Sequence, residues 1–164
     1  MMTNEHPVTL RAATVDDVPL ILRFICELAD YERLAHEVTA TEEQLQATLF
    51  GLRPCAEVAL AFMAGEPVGY ALFFTSYSTF LAKPGIYLED LFVSLAARGR
   101  GVGKALLAHV ARLAVERDCG RLEWSALDWN APAIGFYKSL GAEAKDEWTI
   151  YRLKGDALLK LAEL

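Results

Sequence analysis

Arginines and alternate glycines are concentrated in one short stretch, Arg98-Gly99-Arg100-Gly101-Val102-Gly103. Glycine lets the backbone approach a ligand closely, and the first N–H groups of a helix have no partner inside that helix. Apolar residues recur three and four positions apart from Val102 onward, so a helix is predicted to begin at this turn. The positive end of the helix dipole and the two arginines would make the turn a site for a phosphate or pyrophosphate.

Spacing excludes two nucleotide-binding motifs at this turn. A Walker loop requires a glycine five positions before the Gly-Lys pair and a Ser or Thr after it, where this chain has Arg98 and Ala105. A dinucleotide fingerprint requires a third glycine where Leu106 stands. A glycine-rich turn with arginines exposed to solvent remains the alternative to an anion site.

The elements around the turn alternate in type along the chain. The predicted strands are Val8–Ala12, Glu57–Met63, 68–75, 86–93, 121–127 and 148–153. Capping boxes at Thr14 and Thr41 predict two helices, and further helices are predicted from Val102 to near Gly120, over 133–140 and over 155–164. Residues 76–85 are predicted to form a loop. The order β-α-α-β-β-β-α-β-α-β predicts a mixed α/β fold, with one mixed sheet that has helices on its faces.

The composition indicates which kinds of ligand or macromolecule the protein could bind. The length of 164 residues fits one domain, and 54% hydrophobic with 23% charged residues is a globular balance. The net charge of -6 argues against nucleic acid and slightly favours a cationic substrate.

The amino terminus and the cysteines indicate the compartment. Residues 1–7 lack the basic and apolar regions of a signal peptide, and no apolar run approaches the roughly 20 residues of a membrane span. Three widely spaced cysteines, Cys26, Cys55 and Cys119, suggest a reducing compartment and no metal site. We therefore expect a cytoplasmic protein that binds neither membrane nor metal.

A second motif follows about one strand after the glycine turn, in residues 129–142, Trp-Asn-Ala-Pro-Ala-Ile-Gly-Phe-Tyr-Lys-Ser-Leu-Gly-Ala. Together with the Arg-x-x-Gly-x-Gly turn, it resembles the paired motifs of the GNAT acetyltransferase superfamily. Within that superfamily, Tyr-Leu-Glu-Asp-Leu-Phe-Val before the turn resembles the spermidine/spermine and thialysine acetyltransferases. Residues 27–32 and the Glu147-Trp148 pair support the same subgroup.

The resemblance implies a single GNAT-like domain over residues 1–164, built on a mostly antiparallel mixed sheet. It also implies direct acetyl transfer from acetyl-CoA to a primary amine of a diamine, a polyamine or a lysine-like amino acid. Relatives commonly form homodimers, and the terminal helix is a candidate contact.

The same resemblance implies which residues hold the acetyl-CoA. Asn130 would bond the CoA arm or cap its helix, and Arg98 and Arg100 would contact phosphates or remain solvated. The strand before the turn would offer main-chain groups to the pantetheine, which requires that its edge be open. The implied cofactor-binding residues, besides Asn130 and Tyr137, are Leu91, Phe92, Val93, Arg98, Gly99, Arg100, Gly101, Val102, Gly103 and Lys104.

Tyr137 is the residue that the resemblance places beside the CoA sulfur. A phenol with a pKa of about 10 keeps its proton at neutral pH and can donate it to a developing thiolate. The alternative role is aromatic packing beside Phe136.

Two adjacent carboxylates, Glu89 and Asp90, interrupt an apolar strand. Successive strand residues face opposite sides, so only one of them can line a given face. One would bind a substrate ammonium and take its proton, and Glu89 is the candidate catalytic base; a core salt bridge or a bulge is the alternative. Glu32 and Asp146 or Glu147 are further candidates for binding the cationic substrate; the alternative is that these acids are simply solvated.

Two other functions remain compatible with these residues. An acetyltransferase for a protein N-terminus or lysine would need an open groove in place of an acidic pocket. A non-catalytic acyl-CoA-binding module would not need Tyr137.

Overall fold

Five strands form one sheet in the order β1-β2-β3-β4-β5 in the computed structural model, which describes residues 7–164. The strands are β1 (Val8–Ala12), β2 (Glu57–Met63), β3 (Glu66–Ser78), β4 (Lys83–Val93) and β5 (Leu122–Trp124). The α-helices are α1 (Val18–Tyr31), α2 (Glu42–Phe50), α3 (Val102–Glu116), α4 (Ala131–Ser139) and α5 (Asp156–Ala162). All neighbouring strands are antiparallel except β4 and β5, so the mixed, mostly antiparallel sheet is confirmed.

The chain divides into two compact units. The first ends at Ser125 and contains the sheet and helices α1 to α3, and the second spans Ala126–Leu164 and contains α4 and α5. The amino-terminal residues that were predicted to lack the features of a signal peptide are mainly residues 1–6, which lie outside the described residues. None of the helices between residues 7 and 164 is long and apolar enough to cross a membrane.

Helices cover both faces of the sheet in the first unit. The main core cluster contains side chains of α1, α2, β2, β3 and β4. Among them are Phe24 of α1 and the strand residues Leu60, Tyr70 and Phe92. Leu106 of α3 lies 3.5 Å from the position that a Cβ on Gly69 would take. Since Gly69 and Tyr70 are consecutive in β3, α3 packs on the face opposite to α1.

Local capping signals agree with the structure at both predicted boxes. The Thr14 N–H donates to Asp17 Oδ2 at 2.7 Å, and a short 3₁₀ turn there leads into α1. At the start of α2, the Gln44 N–H donates to Thr41 Oγ1 at 3.2 Å, and the Thr41 N–H donates to Gln44 Oε1 at 3.0 Å. Each box satisfies donors that the first turn of a helix cannot satisfy itself.

Two predicted boundaries in the first unit are wrong. The predicted loop 76–85 is mostly strand, because β3 and β4 continue pairing from Thr75↔Ile86 to Ser78↔Lys83. Helix α3 ends at Glu116 and not near Gly120, because Asp118 takes the left-handed conformation with φ 53°. The Cys119 N–H then donates to the Ala114 carbonyl at 2.8 Å, as in a Schellman ending.

Towards the carboxyl end, one predicted strand is present but shorter, and the other prediction is wrong. Strand β5 covers only Leu122–Trp124 of the predicted 121–127. The segment 148–153 has no regular secondary structure, although it contains the β-branched and aromatic residues Trp148, Thr149, Ile150 and Tyr151, which are common in strands. A strand needs a neighbour for its N–H and C=O groups, and this segment has no pairing partner among residues 7–164.

Candidate active site

The glycine turn has the backbone conformation that its sequence predicts. Gly99 and Gly101 have φ values of 73° and 81°, in a region that residues with a Cβ rarely occupy. Gly101 is the N-cap of α3, and its carbonyl accepts from the Ala105 N–H at 2.9 Å. The N–H groups of the first turn of α3 therefore have no partner within the helix, which suits the turn to an anion.

Arg98 connects this turn to the ends of β4 and α1. Its Nε donates to the Val93 carbonyl at 3.0 Å, and its guanidinium carbon lies 4.1 Å from the centre of the Tyr31 ring. The same carbon lies 5.9 Å from the centre of the Phe92 ring. Because the guanidinium has both a hydrogen bond and a cation–π contact, Arg98 is held in place and is not simply solvated.

Two further cations flank the turn. Arg100 and Lys104 are exposed. The side chain of neither residue forms a hydrogen bond or ion pair with the part of the chain between residues 7 and 164. Their charge is therefore not neutralised by a neighbouring carboxylate, which favours an anionic ligand.

The last residues of β4 lie beyond the end of its pairing with β5. That pairing runs from Ile86↔Leu122 to Leu88↔Trp124. Within the first unit, residues 90–93 of β4 are consequently paired with β3 alone. The predicted pantetheine role of Leu91, Phe92 and Val93 requires a strand edge that no neighbouring strand covers. Within the first unit, these residues meet that requirement.

A β-bulge separates the two adjacent carboxylates. The register between β3 and β4 passes from Leu72↔Asp90 directly to Phe73↔Leu88, so Glu89 is the extra residue. Glu89 is exposed, whereas Asp90 is half-buried on the face that carries Tyr70 and Phe92. The two carboxylates thus have different surroundings, but regular alternation does not account for this, because the bulge puts Leu88 and Asp90 on opposite faces of the sheet.

Asp90 accepts a hydrogen bond from a buried phenol. The hydroxyl of Tyr70 donates to Asp90 Oδ2 at 2.7 Å, and the Tyr70 side chain is fully buried. Burial raises the pKa of Asp90 above its ordinary value, while the hydrogen bond from Tyr70 lowers it. Burial, and then the charge of Asp90, raise the pKa of Tyr70 well above its usual value, so the phenol keeps its proton.

Glu32 adds a second acid next to Asp90. It follows the last residue of α1 and is half-buried. Burial first, and the charge of Asp90 second, raise the pKa of Glu32. Two carboxylates that disfavour each other's ionised form favour a cation between them.

Sequence reasoning missed the roles of Tyr70 and Tyr31. A tyrosine inside an apolar strand is a usable signal, because a buried phenol usually has a hydrogen-bond partner. Its ring is fixed by Phe24, which stacks on it with centroids 5.6 Å apart and an interplanar angle of 7°. Tyr31 contacts Arg98 only because the glycine turn folds back towards the end of α1. A local sequence pattern does not contain that information.

Asn130 and Tyr137 lie on the same short helix, α4, in the second unit. Asn130 is its N-cap and accepts from the Ala133 N–H at 3.4 Å, so the predicted cap is confirmed. Tyr137 is half-buried, and its ring centre lies 5.6 Å from that of Phe136. Asp146 is exposed, in a segment without regular structure. The roles of these three residues towards acetyl-CoA or the amine stay predictions.

The chain has relatives among known proteins. It is 40% identical to a thialysine N-epsilon-acetyltransferase from Bos taurus, over 94% of this chain and 97% of that protein. It is 35% identical to an L-ornithine N5-acetyltransferase from Arabidopsis thaliana, over 94% of this chain and 88% of that protein. An integron cassette protein from the V. cholerae mobile metagenome has a similar solved structure, with a TM-score of 0.79 and 31% identity over 96% of this chain and 98% of that one.

The family model confirms the resemblance that the two motifs predict. The acetyltransferase (GNAT) family matches residues 23–142, a range that includes α1 from Arg23 onward, the whole glycine turn and α4. The chain therefore belongs to the acetyltransferase (GNAT) family and is an enzyme of the N-acetyltransferase class.

Proposed function

We propose that this enzyme moves the acetyl group of acetyl-CoA directly to a primary amine of a small cationic substrate. The substrate class is a diamine, a polyamine or a lysine-like amino acid. The observation that carries this proposal is the half-buried acidic pair, Asp90 and Glu32, each with a raised pKa. The named activities of the relatives support it, because thialysine and ornithine are both amino acids with a side-chain amine.

The acidic pair suits an ammonium group for an electrostatic reason. Two neighbouring carboxylates resist being ionised together when burial removes their water. A substrate cation between them compensates both charges and favours the ionised form of each. Asp90 and Glu32 are therefore the proposed substrate-binding carboxylates, with Asp146 as a further candidate.

Acetyl-CoA supplies the activated acetyl thioester, and the residues of the first unit fit its pyrophosphate. Glycines with positive φ, the free N–H groups of α3 and the cations Arg100 and Lys104 are suited to a polyanion. Arg98 would act mainly by holding the turn against Val93 and Tyr31. Asn130 is proposed to bond the CoA arm while it caps α4.

Two proton transfers are proposed for this chain's own side chains. Glu89 takes a proton from the substrate ammonium, directly or through a water, and its exposure lets it release that proton to solvent. The neutral amine attacks the thioester carbon and a carbon–nitrogen bond forms as the carbon–sulfur bond breaks. Tyr137 donates its phenolic proton to the leaving sulfur, and the second proton that the nitrogen loses as the amide forms returns to the Tyr137 phenolate through solvent. No covalent enzyme intermediate is needed in this scheme.

A panel of amines tests the proposed function. Thiol release from acetyl-CoA would be measured with putrescine, spermidine, spermine, lysine, thialysine, ornithine and a basic peptide. We expect turnover with at least one small cation. Turnover with the peptide alone would favour a protein acetyltransferase, and tight acetyl-CoA binding without any turnover would favour an acyl-CoA-binding module.

Replacing Asp90 with asparagine is expected to raise the KM for the amine about 30-fold. The physical reason is the loss of one partner of a desolvated charge pair, which costs about 2 kcal/mol or more. The KM for acetyl-CoA should change less than about threefold, since the pyrophosphate site does not include Asp90. Steady-state kinetics with each substrate varied in turn measures both constants.

Glu89→Gln is the matched comparison, because it also replaces a carboxylate with an amide, at the adjacent residue. We expect it to lower kcat more than it raises KM, as loss of a base would. If the two variants gave the reverse pattern, the roles proposed for Asp90 and Glu89 would have to be exchanged.

A homodimer is proposed for the assembly. Apolar side chains are exposed in the second unit, including Trp148 and Ile150, at 75% each, and Leu159 of α5, at 63%. Exposed apolar groups of this size favour association with a second copy. Light scattering that gave the mass of a monomer at micromolar concentration would contradict the dimer.

A cytoplasmic location and the absence of nucleic-acid and membrane partners are also proposed, on the cysteine pattern and the net charge of -6. Cell fractionation, nucleic-acid gel shift and vesicle co-sedimentation would test them. Recovery of the enzyme with membranes would overturn the proposed location.

A further inference from the structure

We infer that Tyr70 is a positioning residue for substrate recognition: it holds Asp90 Oδ2 and leaves Oδ1 for the substrate ammonium. This inference rests on the proposed function, since it adds a residue to the amine site. Tyr70 would not touch the substrate. It would act through Asp90.

The register of the sheet brings the two side chains together. Leu72 is opposite Asp90, and Tyr70, two residues away on β3, lies on the same face as Leu72. Tyr70 is therefore the diagonal neighbour of Asp90 across the strand pair, a distance that an aromatic side chain can reach. The hydroxyl-to-Oδ2 distance of 2.7 Å is that of a strong hydrogen bond to a carboxylate.

The phenol cannot easily turn away from the carboxylate. Tyr70 is fully buried, and the ring of Phe24 from α1 stacks on it in a nearly parallel arrangement. Phe24 in turn contacts Phe92, the residue opposite Tyr70 on β4, with ring centres 6.0 Å apart. This packing fixes the direction of the hydroxyl and hence the plane of the Asp90 carboxylate.

The hydrogen bond from the Tyr70 hydroxyl satisfies one carboxylate oxygen of Asp90, Oδ2. Within the described chain, the hydroxyl of Tyr70 is the only hydrogen-bond donor to this carboxylate. An ionised carboxylate accepts at both oxygens, so Oδ1 keeps its capacity for an N–H donor. A phenylalanine at position 70 would fill the same space, so the hydroxyl has a role that packing does not explain.

The hydroxyl also keeps Asp90 ionised in a place that disfavours charge. Burial raises the pKa of Asp90, and the bond from Tyr70 opposes that rise. The other titratable groups that face this pair are Glu32 after α1, Cys26 on α1 and the adjacent Glu89. The guanidinium of Arg98 lies 5.9 Å from the ring of Phe92, two residues along β4 from Asp90. Without the Tyr70 hydroxyl, the ionised form of Asp90 would begin to appear only at higher pH.

The first experiment is the variant Tyr70→Phe, with Tyr77→Phe as the matched control on the exposed part of the same strand. We expect Tyr70→Phe to raise the KM for the amine about tenfold, as loss of a hydrogen bond to a charged group does. The acid limb of kcat/KM for the amine should move to higher pH, because the pKa of Asp90 rises. Tyr77→Phe should change neither quantity.

A double-mutant cycle separates positioning from packing. If Tyr70 acts through Asp90, adding Tyr70→Phe to Asp90→Asn should change the KM for the amine less than about twofold. The same tenfold loss in both backgrounds would overturn the inference, as would an unchanged KM and pH limb in the single variant. Should Tyr70→Phe fail to fold, 3-fluorotyrosine at position 70 keeps the shape and makes the phenol a stronger donor. It should move the acid limb to lower pH, and an unmoved limb would overturn the inference.

A measurement without substrate distinguishes failure of this inference from failure of the proposed function. Carboxyl carbon NMR would follow the titration of Asp90 in the wild type and in the variant at position 70. A higher Asp90 pKa in Tyr70→Phe supports the pair even if the amine panel gives no turnover. An Asp90 pKa that is equal in both proteins would overturn the inference even if the panel succeeds.

Discussion

Replacing Tyr137 with phenylalanine is expected to lower kcat by about a hundredfold or more, the usual contribution of a general acid. The departing thiolate would then have to take its proton from water. Phenylalanine keeps the ring and its contact with Phe136, so the short helix α4 should form as before. The affinity for acetyl-CoA should change less than about threefold, because the hydroxyl contributes little to binding the ground state.

Turnover under saturating conditions and acetyl-CoA binding by calorimetry measure the two quantities separately. Tyr151→Phe is the matched control, since Tyr151 lies in the same unit and is 91% exposed. Comparable turnover in Tyr137→Phe and in the control would remove Tyr137 as the proton donor. A wild-type protein that bound acetyl-CoA but never turned over would instead make Tyr137 a packing residue.

The conformation of the glycine turn was predictable from sequence because its physics is local. Alternate glycines permit the positive φ values of Gly99 and Gly101, and helical periodicity from Val102 locates the start of α3. The family resemblance depends on the same short-range signals, together with residues 129–142. The contacts of Arg98 with Val93 and Tyr31 join three segments, and no local pattern contains them.

The two carboxylates show where a sequence pattern stops being informative. Alternation predicts that Glu89 and Asp90 face different surroundings, but not which of them is buried. The answer depends on the β-bulge at Glu89, and therefore on the register between β3 and β4. Registers arise from packing of whole strands, so the partnership of Asp90 with Tyr70 becomes visible only in the structure.

The incorrect strand at residues 148–153 has a similar origin. A run of β-branched and aromatic residues describes a chain that could pair, and pairing also needs a free edge beside it. Among residues 7–164, no strand pairs with this segment, and Trp148, Ile150 and Tyr151 are exposed. A pattern of side chains therefore predicts the tendency to form a strand and does not identify its partner.

Replacing Gly101 with alanine is expected to raise the KM for acetyl-CoA about tenfold to a hundredfold. Its φ of 81° strains any residue with a Cβ, at about 1–3 kcal/mol. The loop can avoid that strain only by leaving the conformation that presents the first N–H groups of α3. An added Cβ would meet no protein atom within 4 Å, so the loss would come from backbone strain or from contact with the ligand and not from a clash inside the fold.

Gly103→Ala makes the same chemical change two residues later and is the matched comparison, because alanine keeps the backbone N–H through which Gly103 is expected to bind acetyl-CoA. Gly103 lies in the first turn of α3, and its added Cβ would meet only Val93 Cγ2, at an ordinary 3.6 Å. Alanine is favoured over glycine inside a helix, so the melting temperature should stay the same or rise, and the KM for acetyl-CoA should change less than about threefold. Equal KM values in both variants would show that positive φ at Gly101 is not needed for acetyl-CoA. A large loss in Gly103→Ala alone would place the close approach of the ligand at the helix and not at the turn.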